Sequence, residues 1–288
     1  HEILEAAQRG VTVILAGHTQ TDFDPALMPN KQGFDYYFGT PSSNDQLVNL
    51  LRNEEMIEKN ADMATLTRRY TDEAIQFITQ HHTQPFFVYL AHSMPHTKLA
   101  ASKDFLGKSA RGLYGDVVEE IDINTGRLLD TLKKLGIDEN TYVIFTSDNG
   151  PWWAMKEHGG SALPLRGAKT STWDGGERVP CIMRWPGRIP AGTTCNQIAG
   201  NIDIIVSEGE RLTALAALTR ARSASASPRR RFRARACRRA GRWPAAGSSS
   251  SAGAREARRW GRALAVSDGA DGLERVHGRF RGGWKGPQ

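Results

Sequence analysis

Residues 141–180 read TYVIFTSDNGPWWAMKEHGGSALPLRGAKTSTWDGGERVP. The run Tyr142-Val143-Ile144-Phe145-Thr146 has the β-branched and aromatic composition of a buried strand. Asp148-Asn149-Gly150 follows almost at once, so two oxygen-bearing side chains stand just beyond the carboxyl end of a strand, where open α/β sheets place their chemistry. A carboxylate and an amide oxygen are hard ligands that suit Ca²⁺ or Mg²⁺. The stretch therefore predicts an α/β sheet with a divalent cation at its edge.

A second part of the same stretch carries positive charge among glycines. Leu165-Arg166-Gly167-Ala168-Lys169 is followed by Thr172-Trp173-Asp174-Gly175-Gly176. A lysine in such a loop can approach an anion closely, because few side chains shield the nearby backbone. Each motif alone is also typical of an ordinary turn or surface loop. The functional interpretation therefore depends on their combination.

The combination resembles the sulfatase family, in the arylsulfatase branch of the alkaline-phosphatase-like superfamily. The resembling segments are TSDNG at 146–150, LRGAK at 165–169 and TWDGGERVP at 172–180, and the likeness covers roughly residues 25 to 205. It implies an α/β fold in which a mixed sheet is sandwiched by helices. It also implies hydrolysis of a sulfate ester, with Asp148 and Asn149 holding Ca²⁺ and Lys169 bridging the sulfate and the leaving oxygen.

A second strand is predicted at Phe86-Phe87-Val88-Tyr89-Leu90-Ala91, and His92-Ser93-Met94-Pro95-His96 follows it. The family resemblance implies that His96 contacts the sulfate ester and helps the leaving group to depart. An alkoxide or phenoxide leaves more easily when a proton or a positive charge meets its oxygen. Without the resemblance, a histidine that closes a loop by hydrogen bonding is the better interpretation of His96. His92 is left out of the predicted site.

Residues 28–39 are interpreted as a loop with an aromatic plug, and they resemble the P-x-x-x-G-F-D-x-x-x-G segment of sulfatases. In the family this segment follows a G-K-W-H-L-G motif, whose Lys and His contact the sulfate. Gly17-His18 stands in about the right place here, but the Lys and the Trp are absent. His18 is therefore not assigned to the site.

Apolar periodicity predicts further elements along the chain. A short helix and then a strand are expected within residues 1–16, and amphipathic helices are expected over 61–82 and 111–135. A strand and a turn are predicted at residues 181–187. The acidic residues of the second helix are interpreted as a solvated face rather than a metal site.

The charge of the chain is divided unevenly between two parts. Residues 207–288 hold 19 basic and 6 acidic residues, whereas residues 1–206 hold 19 and 25. The basic balance belongs to the tail, so no nucleic-acid or membrane partner is expected for residues 1–206. We predict a partial catalytic domain at 1–206 and a disordered tail rich in Arg, Ala, Gly and Ser at 207–288. Three interpretations of this tail are open. It is a natural segment that binds polyanions, a flexible linker, or the product of translation out of frame, and we favour the last.

The expected nucleophile is missing from the sequence. Sulfatases use a formylglycine made from the Cys, or in some members the Ser, of a C-x-P-x-R motif, and none of Cys181, Cys195 and Cys237 stands in one. The Asp pair that completes the family's metal shell is also absent. The chain has no initiating Met and no signal-peptide pattern at its start, so we expect the natural protein to begin upstream. We predict an incomplete and inactive copy of a calcium sulfatase.

Several functional alternatives stay open at this point. The substrate is either an aryl sulfate or a sulfated sugar. A related metal-dependent phosphodiesterase or phosphonate hydrolase would use the same scaffold, and a non-catalytic protein could bind polyanions through the basic tail. The resemblance implies a periplasmic or secreted location. No run of about 18 apolar residues is present, so no membrane-spanning helix is predicted.

Overall fold

The computed structural model describes residues 12–19, 21 and 24–200 together with the backbone of residues 262–268. Its strands are β1 (Thr12–His18), β2 (Tyr36–Thr40), β3 (Leu50–Arg52), β4 (Glu55–Glu58), β5 (Phe86–His92), β6 (Tyr142–Ser147), β7 (Cys181–Arg184) and β8 (Arg262–Asp268). They form one sheet in the order β4-β3-β2-β1-β5-β8-β6-β7.

The centre of the sheet is parallel and its edges are antiparallel. β2, β1, β5, β8 and β6 run in one direction. β3 and β4 form an antiparallel hairpin at one edge, and β7 pairs antiparallel with β6 at the other. This arrangement confirms the predicted mixed sheet and brings the carboxyl ends of five strands to one side of the molecule.

The helices are α1 (Leu66–His81), α2 (Gly112–Lys134) and the single turn α3 (Asp174–Glu177). Short 3₁₀ segments occupy Pro29–Lys31, Met63–Thr65, Asp138–Asn140 and Trp153–His158. α1 and α2 lie within the predicted ranges, while the helix expected near the start of the chain lies outside the described residues. Within the described part of the chain, no helix combines the length and the apolar character that crossing a bilayer requires.

Both long helices pack on the same face of the sheet. Ile14 and Ala16 of β1 point into this main core together with Val88 and Leu90 of β5, and all four side chains are fully buried. The next residues along β1, Val13 and Leu15, belong to a smaller cluster on the opposite face. The period of two along the strand thus places apolar side chains on both faces, as a central strand requires.

The segment 28–39 differs from the predicted loop. Its second half is the strand β2, which pairs parallel with β1 from Ile14–Tyr36 to His18–Thr40. Tyr37 and Phe38 are buried in the clusters on opposite faces. The sequence interpretation assigns these aromatic residues to a loop. They instead lie on both faces of a strand, because successive side chains of a strand point to opposite faces of the sheet.

The prediction of a disordered tail falls mostly outside the described residues. Seven of its residues, Arg262–Asp268, differ from that prediction, because they form β8 between β5 and β6. The local sequence RALAVSD contains four consecutive apolar residues, a pattern that the average composition of residues 207–288 conceals. The division of the chain into a domain and a tail stays a prediction.

Candidate active site at the carboxyl edge of the sheet

Four parallel strands end at one edge of the sheet, and two of them, β5 and β6, lead into the loops that carry the predicted residues His96, Asp148 and Asn149. β1 ends at His18, β5 at His92 and β6 at Ser147, and the loop that follows β2 begins after Thr40. The loops that continue from these ends carry Asn44 and Asp45, then Ser93 to Thr97, then Asp148 to Gly150. The expectation that polar chemistry follows the strand ends therefore matches the topology.

The turn after β6 packs directly on a glycine pair from α3. Gly150 donates its N–H to the carbonyl oxygen of Gly176 over 2.8 Å. A Cβ on Gly150 would stand 1.9 Å from the carbonyl oxygen of Gly175, which is closer than any real contact. Asp148 lies exposed before this contact and Asn149 is half-buried. Backbone contact without intervening side chains thus holds the Asp148-Asn149 turn against the glycine-rich loop.

The same glycine contacts position Lys169. The Lys169 N–H donates to the carbonyl oxygen of Pro151 over 2.8 Å, two residues beyond Asn149. Gly175 donates to the carbonyl oxygen of Arg166 over 2.7 Å, and Gly167 between them adopts a left-handed φ of +86°. Two segments about twenty residues apart in sequence are thereby joined. The backbone of Lys169 is thus held two residues beyond the Asp-Asn turn, while its role at the site stays a prediction.

Trp152 connects Lys169 with His96. The Lys169 Nζ lies 5.4 Å from the centre of the Trp152 ring, and the ring of His96 lies 6.1 Å from the same centre at an interplanar angle of 36°. The two groups that can carry positive charge therefore flank one indole. The His96 Nδ1 hydrogen-bonds the Thr97 carbonyl oxygen over 2.5 Å, so this nitrogen carries the proton and Nε2 is left for other contacts.

His18 lies within electrostatic range of His96. Burial lowers the pKa of His18 below its ordinary value, and the nearby positive charge of His96 lowers it further. A hydrogen bond from Ser43 lowers the pKa of Asp45, with the charges of His96 and Lys98 acting in the same direction. His18, which the sequence interpretation left aside, therefore belongs to the surroundings of His96.

His92 is fully buried at the end of β5. Burial lowers its pKa to about 4. Neither ring nitrogen has a hydrogen-bond partner among the described residues. The exclusion of His92 from the predicted site stays a prediction.

The donor chemistry of the Asp-Asn turn fits a hard cation. The Asn149 Oδ1 is buried and has no hydrogen-bond partner among the described residues, which suits an oxygen that ligates a metal ion. No group of three or more His, Cys, Asp or Glu side chains with metal-binding geometry occurs within the described ranges. Asp148 and Asn149 thus account for part of an oxygen shell, because Ca²⁺ takes 6–8 oxygens.

Four site residues were not anticipated from sequence, namely Asn44, Trp152, Arg166 and Trp173. Arg166 and Trp173 stand in segments that carry the family resemblance, and Asn44 follows the segment 28–39. Trp152 belongs to a Pro-Trp-Trp run without periodicity. Their roles depend on contacts between loops, which spacing along the chain does not reveal.

Comparison with known proteins identifies the family. The sulfatase family model matches residues 3–207, which is more than half of the chain. The chain belongs to the sulfatase family. Among curated sulfatases, it is 38% identical to the N-acetylgalactosamine-6-sulfatase of Mus musculus over 226 residues, covering 72% of this chain and 43% of the relative. It is 41% identical to the steryl-sulfatase of Homo sapiens over 160 residues, covering 54% of this chain and 27% of that protein.

Solved sulfatase structures agree with the fold. The PsFucS1 sulfatase from Pseudoalteromonas sp. superposes with a TM-score of 0.65 at 26% identity, covering 71% of this chain and 48% of that one. Ps i-CgsB in complex with k-i-k-neocarrahexaose superposes with a TM-score of 0.64 at 28% identity, covering 75% and 53%. This sulfatase chain thus spans about half the length, or less, of these relatives, and its alkaline-phosphatase-like fold is the predicted one.

Proposed function

We propose that this sulfatase-family chain binds a sulfate ester at the cleft around Trp152, and that the whole protein hydrolyses it. The observation that carries the proposal is the nearness of both His96 and Lys169 to the Trp152 ring, at 6.1 and 5.4 Å. The backbone of Lys169 is also hydrogen-bonded to Pro151, two residues beyond Asn149. A sulfate ester needs cationic groups on its oxygens and a proton for its leaving group.

Lys169 is assigned to the sulfate and to the bridging oxygen of the ester. Its ammonium group forms no ion pair with any carboxylate of the described residues, so its charge is available to a ligand. Its backbone is fixed through Pro151, and this leaves only the side chain to order on binding. A positioned ammonium group stabilises the negative charge that develops on the leaving oxygen.

His96 is assigned to the leaving group. Its Nδ1 is committed to the Thr97 carbonyl oxygen, so the second nitrogen, Nε2, is the one that reaches the ester oxygen when the ring is protonated. The loop that carries it is held by Asn44, which donates to the carbonyl oxygens of Ser93 and His96. His96 therefore acts from a fixed position.

Asp148 and Asn149 would hold a calcium ion. Support comes from the buried Asn149 Oδ1, which has no hydrogen-bond partner within the described part of the chain, and from the neighbouring Asp148 carboxylate. When bound, the ion would screen the negative charge of the sulfate oxygens. The formylglycine of the family requires a C-x-P-x-R motif that is absent from the 288 residues. We therefore expect the chain as given to bind sulfate esters without turnover.

The choice between an aryl sulfate and a sulfated sugar is not decided by the relatives. One is named as an N-acetylgalactosamine-6-sulfatase and another as a steryl-sulfatase, and a structural neighbour was solved in complex with k-i-k-neocarrahexaose. These names describe those proteins. For this chain, the supported proposal is binding of a sulfate ester, and its substrate class is treated below.

Isothermal titration calorimetry with p-nitrophenyl sulfate tests the proposal. The wild-type chain should bind this ester, and Lys169→Ala should weaken binding about five-fold or more, because a charged contact is lost. Lys103→Ala, an exposed lysine outside the cleft, is the matched control. Tighter binding of p-nitrophenyl phosphate than of the sulfate, or binding unchanged in Lys169→Ala, would contradict the proposal.

A further inference from the structure

The cleft around Trp152 contains a second basic group besides Lys169. It has a volume of about 390 Å³ and is lined by residues 152–154, 166–171 and 173. Arg166 also lines it, with the carbon of its guanidinium group 3.7 Å from the centre of the Trp173 ring. This is a close stacking contact, considerably closer than the 5.4 Å between Lys169 and Trp152.

Stacking satisfies only the flat face of the guanidinium group. Its N–H donors lie in the plane of the group and point past the indole, so they are left for an acceptor at the edge. No carboxylate of the described residues pairs with Arg166, and nearby Asp174 pairs instead with Arg178. Arg166 therefore presents a braced and uncompensated positive charge to the cleft.

The backbone fixes the spacing between the two cations. Arg166 and Lys169 are three residues apart, and each is tied by a main-chain hydrogen bond, Arg166 to Gly175 and Lys169 to Pro151. Gly167, in its left-handed conformation, turns the chain between them. The two cations lie against different indole rings, Arg166 on Trp173 and Lys169 near Trp152, so each can receive an anionic group of its own from one ligand.

Exposed indole faces lie at the same cleft. Trp153 is 56% exposed and Trp173 is 49% exposed, an unusual degree for two neighbouring tryptophans. The C–H faces of sugar rings pack on such aromatic surfaces, whereas the hydroxyl groups around the rim stay in water. The surface beyond Lys169 thus offers apolar contact and one positive charge together.

We propose that Arg166, braced on Trp173, forms a subsite for a second oxyanion, carried by the sugar unit next to the one that bears the sulfate ester. This inference rests on the proposed contact of Lys169 with the sulfate ester. The second oxyanion is a carboxylate or a further sulfate, and both match the planar donors of a guanidinium group. Arg166 is accordingly a specificity-determining residue that binds substrate away from the reacting bond.

The test uses calorimetry with three disaccharides on the full chain. Each carries one sulfate ester, and the second ring is neutral, carries a carboxylate, or carries a second sulfate. The wild-type chain should bind one or both of the doubly charged disaccharides about five-fold more tightly than the neutral-ring compound. Arg166→Ala should remove this preference and leave binding of the neutral-ring compound unchanged.

Two further variants make the result specific. Arg188 is stacked on Trp185, with 4.9 Å from its guanidinium carbon to the ring centre, but it lies outside the cleft. Arg188→Ala is therefore the matched control and should keep the full preference. Trp173→Leu keeps the charge of Arg166 but removes the ring on which Arg166 stacks. It should reduce the preference for the doubly charged disaccharides to an intermediate value.

The outcomes separate this inference from the proposed function. Equal binding of all three disaccharides by the wild-type chain, or a preference that survives in Arg166→Ala, would overturn the subsite while the role of Lys169 stands. Loss of binding of all three compounds in Lys169→Ala supports the proposed function independently. If Lys169→Ala binds all three as the wild type does, both proposals fail. A preference for only one of the charged disaccharides identifies whether carboxylate or sulfate is recognised.

Discussion

Asn44 donates a hydrogen bond from its Nδ2 to the main-chain carbonyl oxygen of His96 over 3.1 Å, across 52 residues of sequence. The same amide nitrogen donates to the carbonyl oxygen of Ser93 over 2.9 Å. Asn44 is only 2% exposed, so water cannot replace these bonds. The loop that follows β2 thereby fixes the loop that follows β5, and with it the backbone of the proposed proton donor.

Replacing Asn44 by alanine should therefore destabilise the protein. Two buried carbonyl groups lose their donor, which is expected to lower the free energy of unfolding by about 2 kcal/mol. Urea unfolding followed by circular dichroism measures the change. Gln46→Ala, at an exposed position in the same loop, is the control and should stay within about 0.5 kcal/mol of the wild type. Equal midpoints for the two variants would contradict the structural role of Asn44.

Gly175 should not tolerate a side chain. A Cβ there would stand 2.3 Å from the carbonyl oxygen of Gly167 and 2.8 Å from that of Arg166. Gly175→Ala should separate the glycine-rich loop from the Asp148-Asn149 turn, destabilise the protein by at least about 1 kcal/mol and weaken sulfate-ester binding. Thermal unfolding and calorimetry measure the two effects.

Gly126 provides a control for which the opposite change in stability is expected. Gly126 lies inside α2, and a Cβ built on it meets no atom within 4 Å. Gly126→Ala should stabilise the protein by about 0.5–1 kcal/mol, since alanine is the better helix former. If both variants shifted the unfolding temperature in the same direction, the close packing of Gly175 would be disproved.

His92 should make the stability of the protein dependent on pH. Burial lowers its pKa to about 4 in the folded chain, compared with about 6.5 in an unfolded one. Between these values the unfolded chain binds a proton at His92 and the folded chain does not, so the free energy of unfolding falls as the pH drops from about 6.5 towards 4. The full loss from this residue is about 3 kcal/mol.

Urea unfolding at pH 7.0 and pH 4.5 checks this dependence. His92→Gln removes the titrating group and should show a smaller loss of stability between the two pH values than the wild type. His158→Gln, at an exposed position, should show the same loss as the wild type. A loss in His92→Gln that equals the wild-type loss would refute the assignment.

Calcium should stabilise the folded chain through the Asp-Asn turn. At 10 mM Ca²⁺ and a dissociation constant in the low millimolar range, the expected gain is about 1 kcal/mol, which is a few degrees in unfolding temperature. Differential scanning fluorimetry with and without EDTA measures the shift. Asn149→Ala and Asp148→Asn should abolish it, and Asp104→Asn, a change at an exposed carboxylate elsewhere, should retain it.

The sequence allowed the frame of the site to be predicted. The runs at β5 and β6 are short, apolar and β-branched or aromatic, and both are followed at once by polar residues, so their ends could be placed without a structure. The spacing of apolar residues likewise predicted the helices α1 and α2. Asp148 and His96 follow such strand ends, and the glycines around Lys169 predicted a lysine that can approach an anion closely.

The remaining site features depend on contacts that no local pattern encodes. Asn44 bonds the carbonyl group of His96 because the loops that follow β2 and β5, the two strands on either side of β1, meet at the edge of the sheet. Trp152 lies near both His96 and Lys169 because glycines let two segments touch. β8 was missed for a different reason. Its four apolar residues stand in a segment whose average composition argues against order, and its neighbours β5 and β6 are more than a hundred residues away in sequence.

The position of Trp152 gives the chain an internal spectroscopic reporter. A positive charge near an indole face shifts the electron density of the ring. A fluorine nucleus attached to the Trp152 ring would therefore respond both to protonation of His96 and to an anion bound by Lys169. With fluorotryptophan incorporated, the chain should give seven ¹⁹F resonances, one for each tryptophan, and Trp152→Phe identifies the relevant one. Occupancy of the cleft can then be followed directly, without an assay of turnover.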